Sequence, residues 1–151
     1  MLNAERQLTK NFKLSEFAVS ANHPNLIKDT LLSEKEVTKL YFLSKTILEP
    51  TREFSNHGYA CWGGLIITSG KRTKVLNKKE GGSISSDHLF EGYSCACDFY
   101  LSLCNEELIK VYDYMKRQVP SFGQLIYYPK KGIIHVSLPT EKHQGESWIE
   151  N

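Results

Sequence analysis

Two histidines and an aspartate are the residues of this 151-residue chain whose types and spacing suit chemistry: His88, Asp98 ten positions later, and His135. A zinc ion that performs hydrolysis takes three protein ligands from His, Asp, Glu or Cys and keeps a fourth position for water. A histidine before a strand, an aspartate in that strand and a histidine in a later strand meet that demand. The same stretch, GGSISSDHLFEGYSCACDFYL, also holds Cys95 and Cys97. Three readings of it therefore stand together: a metal site, a disulfide knot, or a loop running into a strand. Taken bare, a lone strand histidine is more often a core or surface residue than a ligand.

The four cysteines, at 61, 95, 97 and 104, are expected to be reduced, buried thiols. A chain of this length does not need stapling, and the polar start MLNAERQLTKNFK carries no export signal. In a strand, Cys95 and Cys97 share one face, so a shared metal is the competing reading. The CxC spacing is not the CxxC of redox chemistry. Nineteen Lys and Arg against seventeen Asp and Glu leave a net charge of +2, scattered rather than striped. No nucleic-acid partner is expected. With no run of 18 apolar residues there is no transmembrane segment. The expectation is one soluble domain over 1–151, cytoplasmic on synthesis and monomeric, with a core at about 11–138.

The elements that must position these residues are readable in outline. From Ser33 to about Phe54 a Ser33/Glu36 capping box opens an amphipathic helix with Val37, Leu40, Tyr41, Ser44 and Leu48 on its stripe, and Pro50 is expected to kink or end it. NFKLSEF before it is a docking segment burying Phe12, Leu14 and Phe17. GGLIITSG reads as a buried strand, KRTKVLNKKEGGS as a loop with a helical turn, and CACDFYL as a second strand. Asn105 is placed as the cap of a second helix with Leu108, Val111, Tyr112 and Met115 on one face. FGQLIYY, PKKG and IIHVSL form a hairpin that sets Ile133, His135 and Ser137 on one side. The tail PTEKHQGESWIEN is polar and expected to be loose.

The order of these blocks, NFKLSEF, LEPTRE, ITSGKRTKVLNKKEGGSISSDH, an A-x-D ending and FGQLIYYPKKGIIHVS, resembles the zinc D-alanyl-D-alanine carboxypeptidase family and its phage endopeptidase relatives, which cut the peptide stems of peptidoglycan. The resemblance runs from about Asn11 to Leu138. It implies zinc as cofactor, with His88, Asp98 and His135 as its ligands and Ser86 and Ala96 on the family pattern. It also places Arg72 where the family binds the substrate carboxylate or polarises the scissile carbonyl, a task suited to a planar fork of donors. Ser69, Gly70 and Asn77 are expected to shape the loop. Ser86 and Ser137 are candidates to line the substrate groove.

Two departures bear on function. The family leaves six residues between its first histidine and the aspartate, and this chain leaves nine. If the extra residues do not loop out near FEGYS, Cys95 or Cys97 competes as a softer ligand. The family's general base sits a few residues before the last ligand, where this chain has YYPKKGII with Gly132 and no carboxylate. A positioned acid or base is worth about 10²–10⁴-fold in rate. Glu91 is the candidate substitute, ahead of Glu80 and His143. The expected architecture is α+β, a small antiparallel sheet with helices packed on one side and the zinc in a groove at the sheet. The expected function is a zinc peptidase of peptidoglycan stem peptides, of carboxypeptidase or endopeptidase type, acting at the cell wall as a phage lytic or virion protein. The alternative is a catalytically impaired zinc-binding module with a structural or wall-binding role.

Overall fold

The computed structural model describes residues 5–27, 31–57, 64–119 and 121–151. The Ser33 hydroxyl accepts from the Glu36 N–H while the Glu36 carboxylate accepts from the Ser33 N–H at 2.9 Å, the expected reciprocal cap. Helix α1 (Glu34–Leu43) follows, then a π-helical turn (Ser44–Leu48), then α2 (Glu49–His57), with a short α3 (Lys74–Lys79) further along the chain. Pro50 does not end the helix. The Glu49 N–H reaches back to the Ser44 carbonyl, and this widened turn makes room for a residue that has no N–H and a bulky ring. Val37, Leu40, Leu43, Ser44, Ile47 and Leu48 are buried, whereas Tyr41, expected on that stripe, is exposed.

Five strands form one sheet: β1 (Leu65–Ser69), β2 (Ala96–Leu101), β3 (Gln124–Tyr128), β4 (Ile133–Ser137) and β5 (Glu146–Ile149), in the order β1-β2-β4-β3-β5. The first four pair antiparallel, as expected of this α+β fold. The tail is not loose: β5 lies parallel to β3, with Glu146 N–H on the Gly123 carbonyl and Glu150 N–H on that of Tyr127, both at 2.9 Å. Its side chains stay mostly exposed, so the segment is held by backbone bonds that close an otherwise open sheet edge. Hydrophobic pattern carries no trace of such a strand.

Alternation gives the sheet two different faces. Cys97, Phe99, Leu101, Leu125, Ile134 and Val136 are almost fully buried in one core with α1, the π turn and α4 (Leu108–Gln118). Asp98, Ile126 and His135 project from the opposite face. Asn105 does not cap α4. Its side chain accepts from the Leu101 N–H at 3.0 Å and donates to the Gly132 carbonyl at 2.9 Å, joining the end of β2 to the β3–β4 turn. No helix of the described residues is long and apolar enough to cross a membrane.

Candidate metal centre

Register places the two strand candidates side by side, because Asp98 of β2 pairs directly with His135 of β4. On its other flank Asp98 pairs with Ser69 across an irregularity between Ile67 and Ser69. There the chain leaves β1, and Gly70, Lys71 and Arg72 turn over the same ground. His88 comes from outside the sheet, in a 3-10 turn (Asp87–Leu89) whose first N–H groups are capped by the Ser86 hydroxyl, 3.3 Å from the His88 N–H. The Arg72 N–H donates to the His88 carbonyl at 2.7 Å and fixes that turn to the loop after β1.

The three side chains converge. His88 Nε2 lies 3.2 Å from Asp98 Oδ1 and 3.2 Å from His135 Nδ1, and His135 Nδ1 lies 2.8 Å from Asp98 Oδ1. Tetrahedral zinc with bonds of about 2.0–2.2 Å has ligand-to-ligand edges of about 3.3–3.5 Å, so the observed triangle is already close to the size a metal needs. The tautomer of His88 agrees. Its Nδ1 lies 2.7 Å from the Gly70 carbonyl, which can only accept, so Nδ1 carries the proton and Nε2 presents a lone pair to the cluster.

Charge agrees as well. Burial pushes the His88 pKa down, which keeps the ring neutral, the form that binds metal. Burial pushes the Asp98 carboxyl up, but its close contacts with the His88 and His135 rings outweigh it and hold the group well below its ordinary value. Arg72 Nη2 at 2.9 Å from Asp98 Oδ2 acts in the same direction. Two imidazoles and a carboxylate, all buried and with ligand atoms within 4.8 Å of one another, fit a zinc ion.

Other residues singled out in the sequence fall in several places. Arg72 is in the site: Nη2 holds Asp98, and Nε donates to the Ser69 hydroxyl at 3.0 Å. Ser86 lines the cleft above the cluster and caps the His88 turn. Ser137 is on the His135 face by parity but is fully buried, its hydroxyl accepting from the Gln124 N–H at 3.0 Å. The reason is close approach of Gly123, where a Cβ would lie 2.7 Å from that hydroxyl. Asn77 donates to the Ser83 carbonyl at 2.7 Å, and Gly82 packs so tightly on it that a Cβ would lie 2.1 Å from Asn77 Oδ1. Glu80 and His143 line the cleft, with Glu80 taking hydrogen bonds from Ser20 and Asn22, and His143 Nδ1 lying 2.9 Å from Glu146. Cys95 and Cys97 are fully buried, and burial raises both thiols far above their usual value, so neither competes for the metal. Cys61 lies outside the described residues.

The extra residues between His88 and Asp98 loop out ahead of β2. Phe90 takes a left-handed conformation at φ 58°, and residues 90–94 fold back toward α1. There Lys39, nearly buried, donates to the carbonyls of Phe90, Gly92 and Ser94, the latter two at 3.2 and 3.0 Å. Lys71 bonds both Glu36 and the Leu89 carbonyl. This anchoring carries Glu91 away from the cluster. It is exposed, 3.4 Å from Lys74, and belongs to a neighbouring depression with Tyr93 and Glu141.

A cleft of about 680 Å³ crosses the sheet face with the cluster at its centre, within the range of about 300–1,000 Å³ typical of ligand sites. One flank is formed by Asn22, Thr68 and Glu80, the other by Gln124, Tyr128 and Glu150. Sequence reasoning missed Tyr128, and also Asp87, a buried carboxylate on the cleft wall whose Oδ2 has no hydrogen-bond partner among the described residues. Strand parity within FGQLIYY was signal enough for Tyr128.

No curated protein and no solved structure matches the chain in comparisons of either kind. A family model, Peptidase M15, matches residues 11–137, a span that contains His88, Asp98 and His135. Its members are zinc peptidases, and the triangle of His88, Asp98 and His135 is the feature such a peptidase requires. The chain belongs to the peptidase M15 family, that of the zinc D-alanyl-D-alanine carboxypeptidases.

Proposed function

We propose that the chain is a zinc-dependent peptidase that hydrolyses a peptide bond in peptidoglycan stem peptides, of the kind used in phage cell-wall lysis. The observation that carries this reading is the buried triangle of His88 Nε2, Asp98 Oδ1 and His135 Nδ1 at the centre of the cleft. These three side chains would hold a zinc ion, which would supply Lewis acidity to a scissile carbonyl and to water. Arg72 bonds Asp98 through Nη2 and Ser69 through Nε, which locks its plane against the cleft wall. The rest of its fork is left to orient a substrate carboxylate or carbonyl. Because the cleft extends to both sides of the triangle, the reading favours a substrate with residues on both sides of the cut, an endopeptidase rather than a carboxypeptidase.

The test is digestion of purified peptidoglycan, and of a synthetic stem peptide ending in D-Ala-D-Ala, by the zinc-loaded protein, with products identified by mass spectrometry. Fragments cut inside the stem support the endopeptidase reading, and release of the last D-Ala supports the carboxypeptidase. A second reading, a zinc-binding module that recognises wall peptide without cutting it, draws on the absence of a carboxylate from 127–134 before His135. Stoichiometric zinc with no product after prolonged incubation would favour it.

A further inference from the structure

The site has ligands and a positioning arginine, but catalysis of acyl transfer also needs a donor aimed at the carbonyl oxygen as charge builds there. Tyr128 stands where such a donor belongs. On the sheet face that bears the cluster, Asp98, His135 and Ile126 lie abreast on β2, β4 and β3. Tyr128 is the next residue of the same parity on β3, a diagonal neighbour of His135. Diagonal pairs in a sheet have their Cα atoms about 7–8 Å apart, within reach of an aromatic side chain. Its phenol lines the cleft with His135 and Arg72 and makes no hydrogen bond among the described residues.

Two features hold the ring. The Tyr128 carbonyl accepts from the N–H groups of Lys131 and Gly132, at 3.2 and 2.9 Å, closing the β3–β4 turn directly on this residue. The Lys131 ammonium lies 4.7 Å from the ring centroid, a cation–π contact. The hydroxyl also keeps its proton: burial, with Glu150 and Asp98 adding to it, pushes the group up to about 12.

We propose that the Tyr128 hydroxyl is a catalytic hydrogen-bond donor to the scissile carbonyl oxygen, approaching from the β3 side of the cleft while Arg72 stands on the β1 side. The phenol neither takes nor gives up a proton. It strengthens its hydrogen bond as negative charge grows on that oxygen. Position 128 thus does electrostatic work in a site without the family's carboxylate before the last ligand. The inference rests on the peptidase reading above.

The test is Tyr128→Phe, which removes one oxygen and leaves the ring under Lys131. Loss of a single such donor lowers kcat by about 10²–10³-fold. We therefore expect a fall of that size in kcat on the stem peptide, with KM and zinc content unchanged. Binding gives a second readout. A phosphinate isostere of the scissile bond, which carries a tetrahedral anionic centre, should bind the zinc-loaded variant at least tenfold more weakly than wild type, measured by calorimetry. The uncut substrate peptide should bind both proteins equally. Wild-type activity and phosphinate binding that persist within threefold in Tyr128→Phe would overturn the role of the hydroxyl alone. A wild-type protein that binds zinc but neither cleaves the peptide nor binds the phosphinate would overturn the peptidase reading and this inference with it.

Discussion

Lys39→Met removes an ammonium from a place where three carbonyls converge. The side chain is nearly buried, and its Nζ donates to the carbonyls of Phe90, Gly92 and Ser94 in the loop joining His88 to Asp98. A hydrogen bond involving a charged group contributes about 1.5–3 kcal/mol when buried. The bond to Phe90 is buried and counts fully. Those to Gly92 and Ser94 are half-exposed, where water replaces the lost donor and each contributes about 0.5–1 kcal/mol. Against this, methionine recovers the packing of the stem and removes the cost of burying a charge, a cost visible in the lowered pKa of Lys39. The net loss is about 2–4 kcal/mol, which for a domain of this size corresponds to a fall of roughly 4–16 °C in Tm. Calorimetry of the metal-free protein reads the stability, and competition with a chelator reads the zinc affinity, which should fall as the loop behind His88 loosens. Lys45→Met, exposed in the π-helical turn that follows α1, is the control and should stay within about 0.5 kcal/mol. A Lys39→Met protein that melts within a degree or two of wild type and binds zinc as tightly would refute the claim that Lys39 anchors the inserted loop.

Three further outcomes follow from the same geometry. At Gly70 an added Cβ would lie 2.3 Å from the Phe17 carbonyl oxygen, so Gly70→Ala must shift the carbonyl that orients His88; zinc affinity in a chelator competition should drop about 10–100-fold, and an unchanged affinity would show that this carbonyl does not set the ring. Lysine cannot bond Asp98 and Ser69 together as the Arg72 fork does, so Arg72→Lys should retain zinc yet lose about 10–100-fold in kcat/KM, the size of one charge-assisted bond; full activity would remove the fork from the account. Burial pushes the Glu36 carboxyl up, but hydrogen bonds from Lys71 and the Ser33 N–H, with the charge of Lys71, hold it below its usual value. A carboxyl lowered in the folded state stabilises above its unfolded pKa of about 4.3 and ceases to do so as pH falls through its folded value. The Tm advantage of wild type over Glu36→Gln should therefore be present at pH 7 and fade on acidification below pH 4; an advantage constant from pH 7 to pH 3 would be evidence against that ion pair.

The clustering of His88, Asp98 and His135 was legible because metal chemistry constrains residue type and spacing together, and the register of Asp98 against His135 delivers what the hairpin and strand patterns implied. Helix α4 was legible for the ordinary reason that Leu108, Val111, Tyr112 and Met115 share a face and are buried. What stayed hidden depends on partners distant in the chain. Nothing around Lys39 announces that its ammonium will serve carbonyls more than fifty residues away. Strand β5 is polar because it is held by backbone bonds at an edge, so pattern reasoning reads it as a tail. Ser137 obeys the predicted parity and is still sealed off, since Gly123 crosses over its hydroxyl. Glu91 is close to His88 in sequence, yet the left-handed turn at Phe90 sends it to another part of the surface. Proximity along the chain is a poor guide wherever a loop reverses.

The zinc centre proposed for His88, Asp98 and His135 draws one side chain from a loop and two from neighbouring strands. Its most direct test is the zinc content of the purified protein by atomic spectroscopy, for wild type and for His88→Ala, Asp98→Ala and His135→Ala, with circular dichroism on each sample to establish that the variants fold. One zinc per wild-type chain is expected, and none retained by any folded variant. A folded variant that keeps its zinc would take that residue out of the centre, and a wild-type protein that binds no zinc even when supplied with it would show that these side chains form no zinc site.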